Sequence, residues 1–461
     1  MKNKEGIDQG EDMARLGLNR EYVKRILNLA IPVVIEMVLG MVVWIVDTAM
    51  VGRLSGVALS AVGLGGQLFF SSVNIFAAIG TGATAIVSRH IGGKNYERGN
   101  ESAVQALQIA LVLGLIMFLC SYFFFDKLFI LSDAEAEVIS LGTDYLKIIS
   151  PAALFMVPGF VASAILRASG DTKTPMIGSI IVNTINVVGD YVLIFGKWGF
   201  PKLGVAGAAI ATALGQIVGY LYIIFCLFRA SGMIRLNIRG LGKVNKKDFN
   251  QILRLSGPAF VNELMINGGR LIYSFMVIAL GTVAFAANQI AVTAESLSYM
   301  PTIGFSVAAT TLVGQSLGAG NKEEAQEYTR TAAFLGAAFM GLVAILFLAF
   351  PVPIVRFFNH EADIISVAAL CIRIAALEQV PMALSMVLSG ALKGAGDTKG
   401  NMYICLASNW LYRLPAAYLA VYVFKWPVSA LWYMTAFQYV IETILFGIRF
   451  KKGKWAGIAI S

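Results

Sequence analysis

Gly170-Asp171-Thr172-Lys173 returns 226 residues later as Gly396-Asp397-Thr398-Lys399. At the same offset Ile26-Leu27-Asn28-Leu29-Ala30-Ile31-Pro32 aligns with Ile252-Leu253-Arg254-Leu255-Ser256-Gly257-Pro258, and Ile91-Gly92-Gly93-Lys94-Asn95 aligns with Leu317-Gly318-Ala319-Gly320-Asn321. Chance supplies one such match; three at one offset over about 150 residues indicate duplication. Outward from these motifs, each half holds six apolar segments of about 20 residues or more, bounded by Gly, Pro or charged residues. That is the length a helix needs to cross the hydrocarbon core. The predicted fold class is all-α: a polytopic membrane protein of twelve transmembrane helices in two six-helix lobes. Six spans per half send both copies into the membrane in the same direction. The lobes are therefore expected to be related by a pseudo-two-fold axis along the membrane normal, around a central cleft.

Composition agrees with lipid as the solvent. The 461 residues are 57% hydrophobic and 14% charged, with a mean hydropathy of +0.73, too apolar for a water-soluble domain of this length. The net charge of +9 is a topology signal and not a nucleic-acid patch. Counted on alternate sides of the spans, 25 Lys and Arg fall in the tails and the even-numbered connections, against 6 in the odd-numbered connections. Both termini are then expected to be cytoplasmic, in a multi-pass protein of the cytoplasmic (inner) membrane. The start, Met1 to Arg20, lacks the pattern of a cleaved signal peptide. The predicted domains are a cytoplasmic amino-terminal tail (1–23), a first lobe (24–230), a cytoplasmic linker (231–246), a second lobe (247–450) and a cytoplasmic carboxy-terminal tail (451–461). Arg229, Arg235, Arg239, Lys243, Lys246 and Lys247 around the linker read as an anchor on the cytoplasmic surface. Cys120, Cys226, Cys371 and Cys405 are scattered singly, and His90 and His360 lie far apart, so no disulfide framework or histidine metal site is expected.

The motifs in combination resemble the multidrug and toxic compound extrusion (MATE) family. They are Pro32, Val46-Asp47-Thr48-Ala49-Met50-Val51-Gly52, Ser298-Tyr299-Met300-Pro301, Thr311-Leu312-Val313-Gly314-Gln315 and the twin Gly-Asp-Thr-Lys loops. The resemblance covers roughly residues 20 to 450 and implies an efflux transporter. The glycine-rich loops themselves read as helix ends and tight turns that bind nothing.

An Asp, Lys or Arg at the centre of a spanning helix costs about 2.5 to 3.5 kcal/mol, so each one needs a compensating reason. Asp47 lies 5 residues before Gly52 and Asp190 lies 6 before Gly196, which puts both roughly 7.5 to 9 Å from the same side of the membrane. Asn183, Asn186 and Asp190 share one face of the fifth span, and a polar stripe in lipid must face protein or water. By the same counting Asn186, Thr212 and Tyr145 lie at matching depth. Two carboxylates near one another must share a proton or hold a hard cation such as Na⁺. Asp47 and Asp190 are thus predicted to bind the coupling ion, H⁺ or Na⁺, with Asn186, Thr212 and Tyr145 around them. The resemblance points to the DinF-like branch rather than the NorM-like one, and implies an ion-linked set of Asp47, Asn186, Asp190 and Thr212. Many relatives carry Asn where this chain has Ser163, so Ser163 joins the set as a departure from the pattern. Glu36 and Glu263 fall near mid-membrane beside Pro32 and Pro258 and are candidate cleft acids. For Glu295, Glu378, Arg270 and Arg413 structural ion pairing is favoured over substrate contact.

The function expected is secondary active multidrug efflux: lipophilic, cationic compounds exported in exchange for H⁺ or Na⁺ by alternating access. Besides the coupling ion no cofactor is expected, and no nucleic acid. The partners are small lipophilic organic cations and membrane lipids, and the chain is expected to act as a monomer. A flippase for a lipid-linked oligosaccharide is the alternative, and would want a cationic cleft for its anionic substrate. No Ser/His/Asp set, metal-binding His spacing or phosphate loop supports an enzyme.

Overall fold

The computed structural model describes residues 19–130, 135–229, 236 and 245–458. The amino-terminal tail through residue 18, most of the linker with Arg235, Arg239 and Lys243, and the last three residues lie outside the described residues.

The described chain is almost entirely helical. The first half runs α1 (Arg20–Gly52), α2 (Gly56–Ala77), α3 (Ile79–Gly92), α4 (Tyr96–Ile130), α5 (Ala136–Ile149), α6 (Ala153–Ala168), α7 (Lys173–Phe195) and α8 (Val205–Arg229). The second runs α9 (Lys246–Ile278), α10 (Thr282–Gly318), α11 (Lys322–Ala349), α12 (Pro351–Arg356), α13 (Ala362–Gly394), α14 (Thr398–Leu406), α15 (Leu414–Tyr418) and α16 (Val428–Lys451). Two of the expected spans are interrupted. The second breaks between α2 and α3 at Ala78, and the fourth breaks between α5 and α6 at a 3-10 turn over Ser150–Ala152, where Pro151 has no N–H to give. The eleventh is widened by π-helical turns at Ala407–Arg413 and Leu419–Val423 on either side of α15. Pro415 in α15 cannot donate to the preceding turn, which favours such a shift in hydrogen bonding.

Local chemistry sets the helix ends, and it repeats. Gly170 and Gly396 both take positive φ, 93° and 85°. The aspartates that follow cap the next helix, with Asp171 accepting from the Thr174 N–H at 3.0 Å and Asp397 from the Gly400 N–H at 3.2 Å. Lys94 and Gly320 also share positive φ, followed by Asn95 and Asn321 caps on Arg98 and Glu324. The duplicated motifs are thus turns with the same geometry in both halves.

The chain divides into two compact units: an amino-terminal unit of Ile35–Ile91 with Asn95–Glu263, and a carboxy-terminal unit of Met1–Val34, Gly92–Lys94 and Leu264–Ser461. The division falls inside α1 and inside α9, each just beyond its proline, Pro32 or Pro258. In the amino-terminal unit the early part of α9 lies on α3, where Ser256 donates to the Ile79 carbonyl at 2.9 Å. In the carboxy-terminal unit the start of α1 is buried through Ile26, Leu29 and Ala30 against Phe305, Tyr328 and Trp455. Arg25 donates there to the Tyr328 hydroxyl at 2.9 Å. Many large apolar side chains point outward, among them Trp44, Phe123, Phe275 and Ile345, as expected where the surroundings are hydrocarbon.

Among the described residues nine helices are long and apolar enough to cross a membrane. α9, α10 and the stretch from α14 to the second π turn fall short in composition. They carry much of the carboxy-terminal unit's polar interior: Tyr273, Glu295, Ser408 and Arg413.

Candidate functional site

The site in the amino-terminal unit is built on the close approach of α7 and α8. A Cβ at Gly215 would meet the Val182 carbonyl at 2.7 Å, and one at Gly207 would meet the Leu193 carbonyl at 2.7 Å. Only glycine lets these backbones come so near, as small residues do wherever helices pack in lipid. The result is that Asn186 on α7 donates from Nδ2 to Thr212 Oγ1 on α8 at 3.1 Å, both side chains buried. Tyr145 of α5 reaches the same place by lying over α2, where a Cβ at Gly65 would stand 3.0 Å from its ring. Its hydroxyl is within hydrogen-bonding reach of Thr212 and close to Asp47 and Asp190.

Asp47 on α1 and Asp190 on α7 meet carboxyl to carboxyl. Asp190 is fully buried, and neither of its oxygens has a hydrogen-bond donor; Asp47 Oδ1 has none either. Buried acceptors are nearly always satisfied, so an orphaned carboxylate facing a second carboxylate favours uptake of positive charge. A proton shared between the acids fits it. So does a hard monovalent cation, to which Asn186 Oδ1 and the Thr212 and Tyr145 oxygens could add neutral oxygen ligands.

Five of the predicted residues, Asp47, Tyr145, Asn186, Asp190 and Thr212, therefore come together. Ser163, buried on α6, donates to the Gly159 carbonyl at 2.9 Å. Glu36 has a partner that sequence reading did not supply: Arg167 Nη2 donates to both of its oxygens, at 2.7 and 2.8 Å. That pair is 131 residues apart along the chain and leaves no sequence signal. Glu263 is partly buried at the end of the unit.

The carboxy-terminal unit holds a second polar interior. Glu378 is fully buried with neither oxygen hydrogen-bonded, and it contacts Glu295. Arg413 stands near Glu295, its guanidinium 4.2 Å from the centre of the Tyr273 ring. No salt bridge closes between Arg413 or Arg270 and these acids among the described residues, but both cations act on Glu295 through space. Glu442, which sequence reading missed, accepts from Ser385 at 2.8 Å, Ser408 at 2.5 Å and Gln438 at 3.0 Å.

The MatE family model matches the chain twice, at residues 32–192 and 258–419. The two matches start 226 residues apart, at the offset of the sequence repeat. The chain belongs to the MatE family. It is 34% identical over 441 residues, 95% of this chain and 94% of the other, to a probable multidrug resistance protein NorM of Thermotoga maritima. That relative carries the NorM name, which sits at odds with the expected DinF-like branch. Solved structures share the fold. One is an outward-facing multidrug resistance MATE family transporter, at TM-score 0.87 and 23% identity over 95% of this chain and 97% of that one. Another is a MOP superfamily transporter from Pyrococcus furiosus, at TM-score 0.88 and 22% identity over 95% and 97%, described as having a binding pocket of reversed polarity that suggests a different function. The relatives are transporters, not enzymes, and the twelve-helix, two-lobe architecture of this chain is theirs.

Proposed function

We propose that this chain is a secondary active antiporter that exports lipophilic cations in exchange for H⁺ or Na⁺ by alternating access. The observation that carries the reading is the contact of Asp47 with buried Asp190, which has no donor and no salt-bridging cation among the described residues. An acid pair of this kind binds a mobile cation in one state of the transport cycle and releases it in another, which is what coupling requires. Asn186, Thr212 and Tyr145 order the pair and supply neutral oxygens. Arg167 is neutralised by Glu36, so it offers little attraction to an anionic lipid-linked sugar.

The duplicated halves, 24–230 and 247–450, are the two lobes in this proposal, and both termini and the linker lie on the cytoplasmic side. Labelling from outside intact cells at position 240, with the native cysteines removed, should fail. The Asp47, Asn186, Asp190 and Thr212 set supports the DinF-like reading of the branch, and the NorM name of the Thermotoga relative speaks for the other.

The test of function is transport in proteoliposomes, with a sodium gradient and a pH gradient imposed separately against a fluorescent lipophilic cation. Uphill movement driven by one of them is expected. Indifference to both gradients would overturn antiport, and equal transport of an anionic dye would overturn the substrate class.

A further inference from the structure

In the amino-terminal unit, just beyond Asp47 and Asp190 along their helices, the tips of α1 and α7 line a cavity of about 340 Å³ formed by Met50, Arg53, Tyr191, Phe195, Lys197 and Lys202. Three of its six lining residues are cations, on a side where the whole chain has only 6 Lys and Arg in its connections. Half of that sparse set is gathered here. No acid forms a salt bridge with Arg53, Lys197 or Lys202 among the described residues, so their charge is available to an outside partner.

The loop that presents them is built, not loose. Gly196 ends α7 with φ of 67°, Leu203 donates its N–H to the Leu193 carbonyl at 2.9 Å, and Lys202 folds back so far that a Cβ on Gly196 would meet its backbone N at 2.9 Å. Trp198 sits between the two lysines at φ 57°, a conformation that disfavours bulky side chains. Trp198 is 75% exposed, and its ring stands 6.4 Å from that of Tyr191 between centroids. Phe200 is exposed beside it. Aromatic rings and cations at one level on a spanning helix bundle mark the headgroup layer.

We propose that this pocket binds the phosphate headgroup of an anionic phospholipid from the membrane leaflet it faces, with Arg53, Lys197 and Lys202 on the phosphate and Trp198, Tyr191 and Phe195 against the glycerol and upper acyl chains. The bound lipid lies within one helical turn of the acid pair: Met50 is three residues after Asp47, and Tyr191 follows Asp190. The site therefore joins the membrane's surface charge to the part of the protein that holds the coupling ion.

The experiment uses the purified full-length protein in detergent, titrated with short-chain phosphatidylglycerol carrying brominated acyl chains. Binding is read as quenching of the tryptophan emission that Trp198→Phe removes, and as lipid retained in native mass spectrometry. Saturable binding is expected. It should weaken about fivefold for each of Arg53→Gln, Lys197→Gln and Lys202→Gln, and about a hundredfold for the triple variant. Arg356→Gln, an exposed cation outside the pocket lining, should change nothing. All of these side chains are exposed, so folding is not at stake. Undiminished phosphatidylglycerol binding by the triple variant, or equal binding of phosphatidylcholine, overturns the proposal. Inorganic phosphate that binds at millimolar concentration with the same variant pattern, while phosphatidylglycerol does not, makes the pocket a free-phosphate site and also overturns it.

Discussion

Glu36 and Asp47 lie on the same helix, eleven residues apart, about 16.5 Å along its axis, and they meet opposite company. Glu36 receives both of its hydrogen bonds from Arg167, whereas Asp47 faces Asp190, another acid. The first arrangement is electrically complete and has no need of an ion. The second is short of at least one positive charge, which must come from something mobile. In the carboxy-terminal unit Glu295 and Glu378 repeat the acid pair, but with Arg413 nearby as a fixed positive charge. A buried carboxylate therefore does not by itself mark an ion site; what matters is whether the protein already supplies its counter-charge.

The largest effect should come from removing charge where there is no partner. Asp47→Asn and Asp190→Asn keep the size and much of the hydrogen-bonding capacity but delete the charge that draws the ion. Gradient-driven efflux in proteoliposomes should drop at least tenfold in each, towards the level seen with no gradient. The double variant should be little worse than either single one, because residues acting on one ion are not additive. Wild-type ion dependence in either single variant would erase the contrast with Glu36.

Breaking the complete pair should do the reverse. Arg167→Met strands Glu36 in a partly buried position and should cost about 3 to 5 kcal/mol of stability, read as a fall in the thermal midpoint of the purified protein. Adding Glu36→Gln should restore most of it. Whatever folded protein remains should keep its ion dependence. Loss of coupling at unchanged stability would place Glu36 with Asp47, as a working acid.

A third substitution asks whether the unpaired acids depend on their frame. Gly215→Ala drives a Cβ towards the Val182 carbonyl at 2.7 Å, which should force α7 from α8 and part Asn186 from Thr212. Overpacking of this kind costs about 1 to 3 kcal/mol. Half-maximal ion concentration for transport should rise, while Gly257→Ala, in open space, should leave it alone.

The sequence was most legible where a rule of distance applied. Counting residues from Gly52 and Gly196 placed Asp47 and Asp190 at one depth, and the structure brings them into contact, because a helix translates residue number into height. The repeat was legible for a similar reason, since its turns at Lys94 and Gly320, and at Gly170 and Gly396, need the same backbone. Lateral neighbours were not legible. No spacing rule joins Glu36 to Arg167, or Glu442 on α16 to Ser385 on α13 and Ser408 in the π turn. The helices whose composition least resembles a membrane span are the ones with polar residues turned inward, and there the Gly, Pro and charged boundaries helped to mark the helix.

The smallest effect is expected at Glu442, the buried acid that is neither ion-paired nor orphaned. Two hydroxyls and an amide already donate to it, and hydrogen bonds to a charged acceptor are worth about 1.5 to 3 kcal/mol each against leaving them unmade. Glu442→Gln keeps an acceptor oxygen, and the freely rotating hydroxyls of Ser385 and Ser408 can turn to receive its new N–H. Stability should therefore fall by about 1 kcal/mol or less, and ion dependence should not change. Glu442→Leu removes the acceptor from Ser385 and Gln438, leaving Ser408 only the Cys405 carbonyl at 3.1 Å, and should cost about 1 to 3 kcal/mol. The thermal midpoints of the two variants, measured beside their transport under each gradient, decide between donors and charge. If Gln were as damaging as Leu, or if Gln abolished coupling at an unchanged midpoint, then the charge of Glu442 and not its hydrogen bonds would be what the protein uses. The carboxy-terminal unit would then hold a working acid of its own.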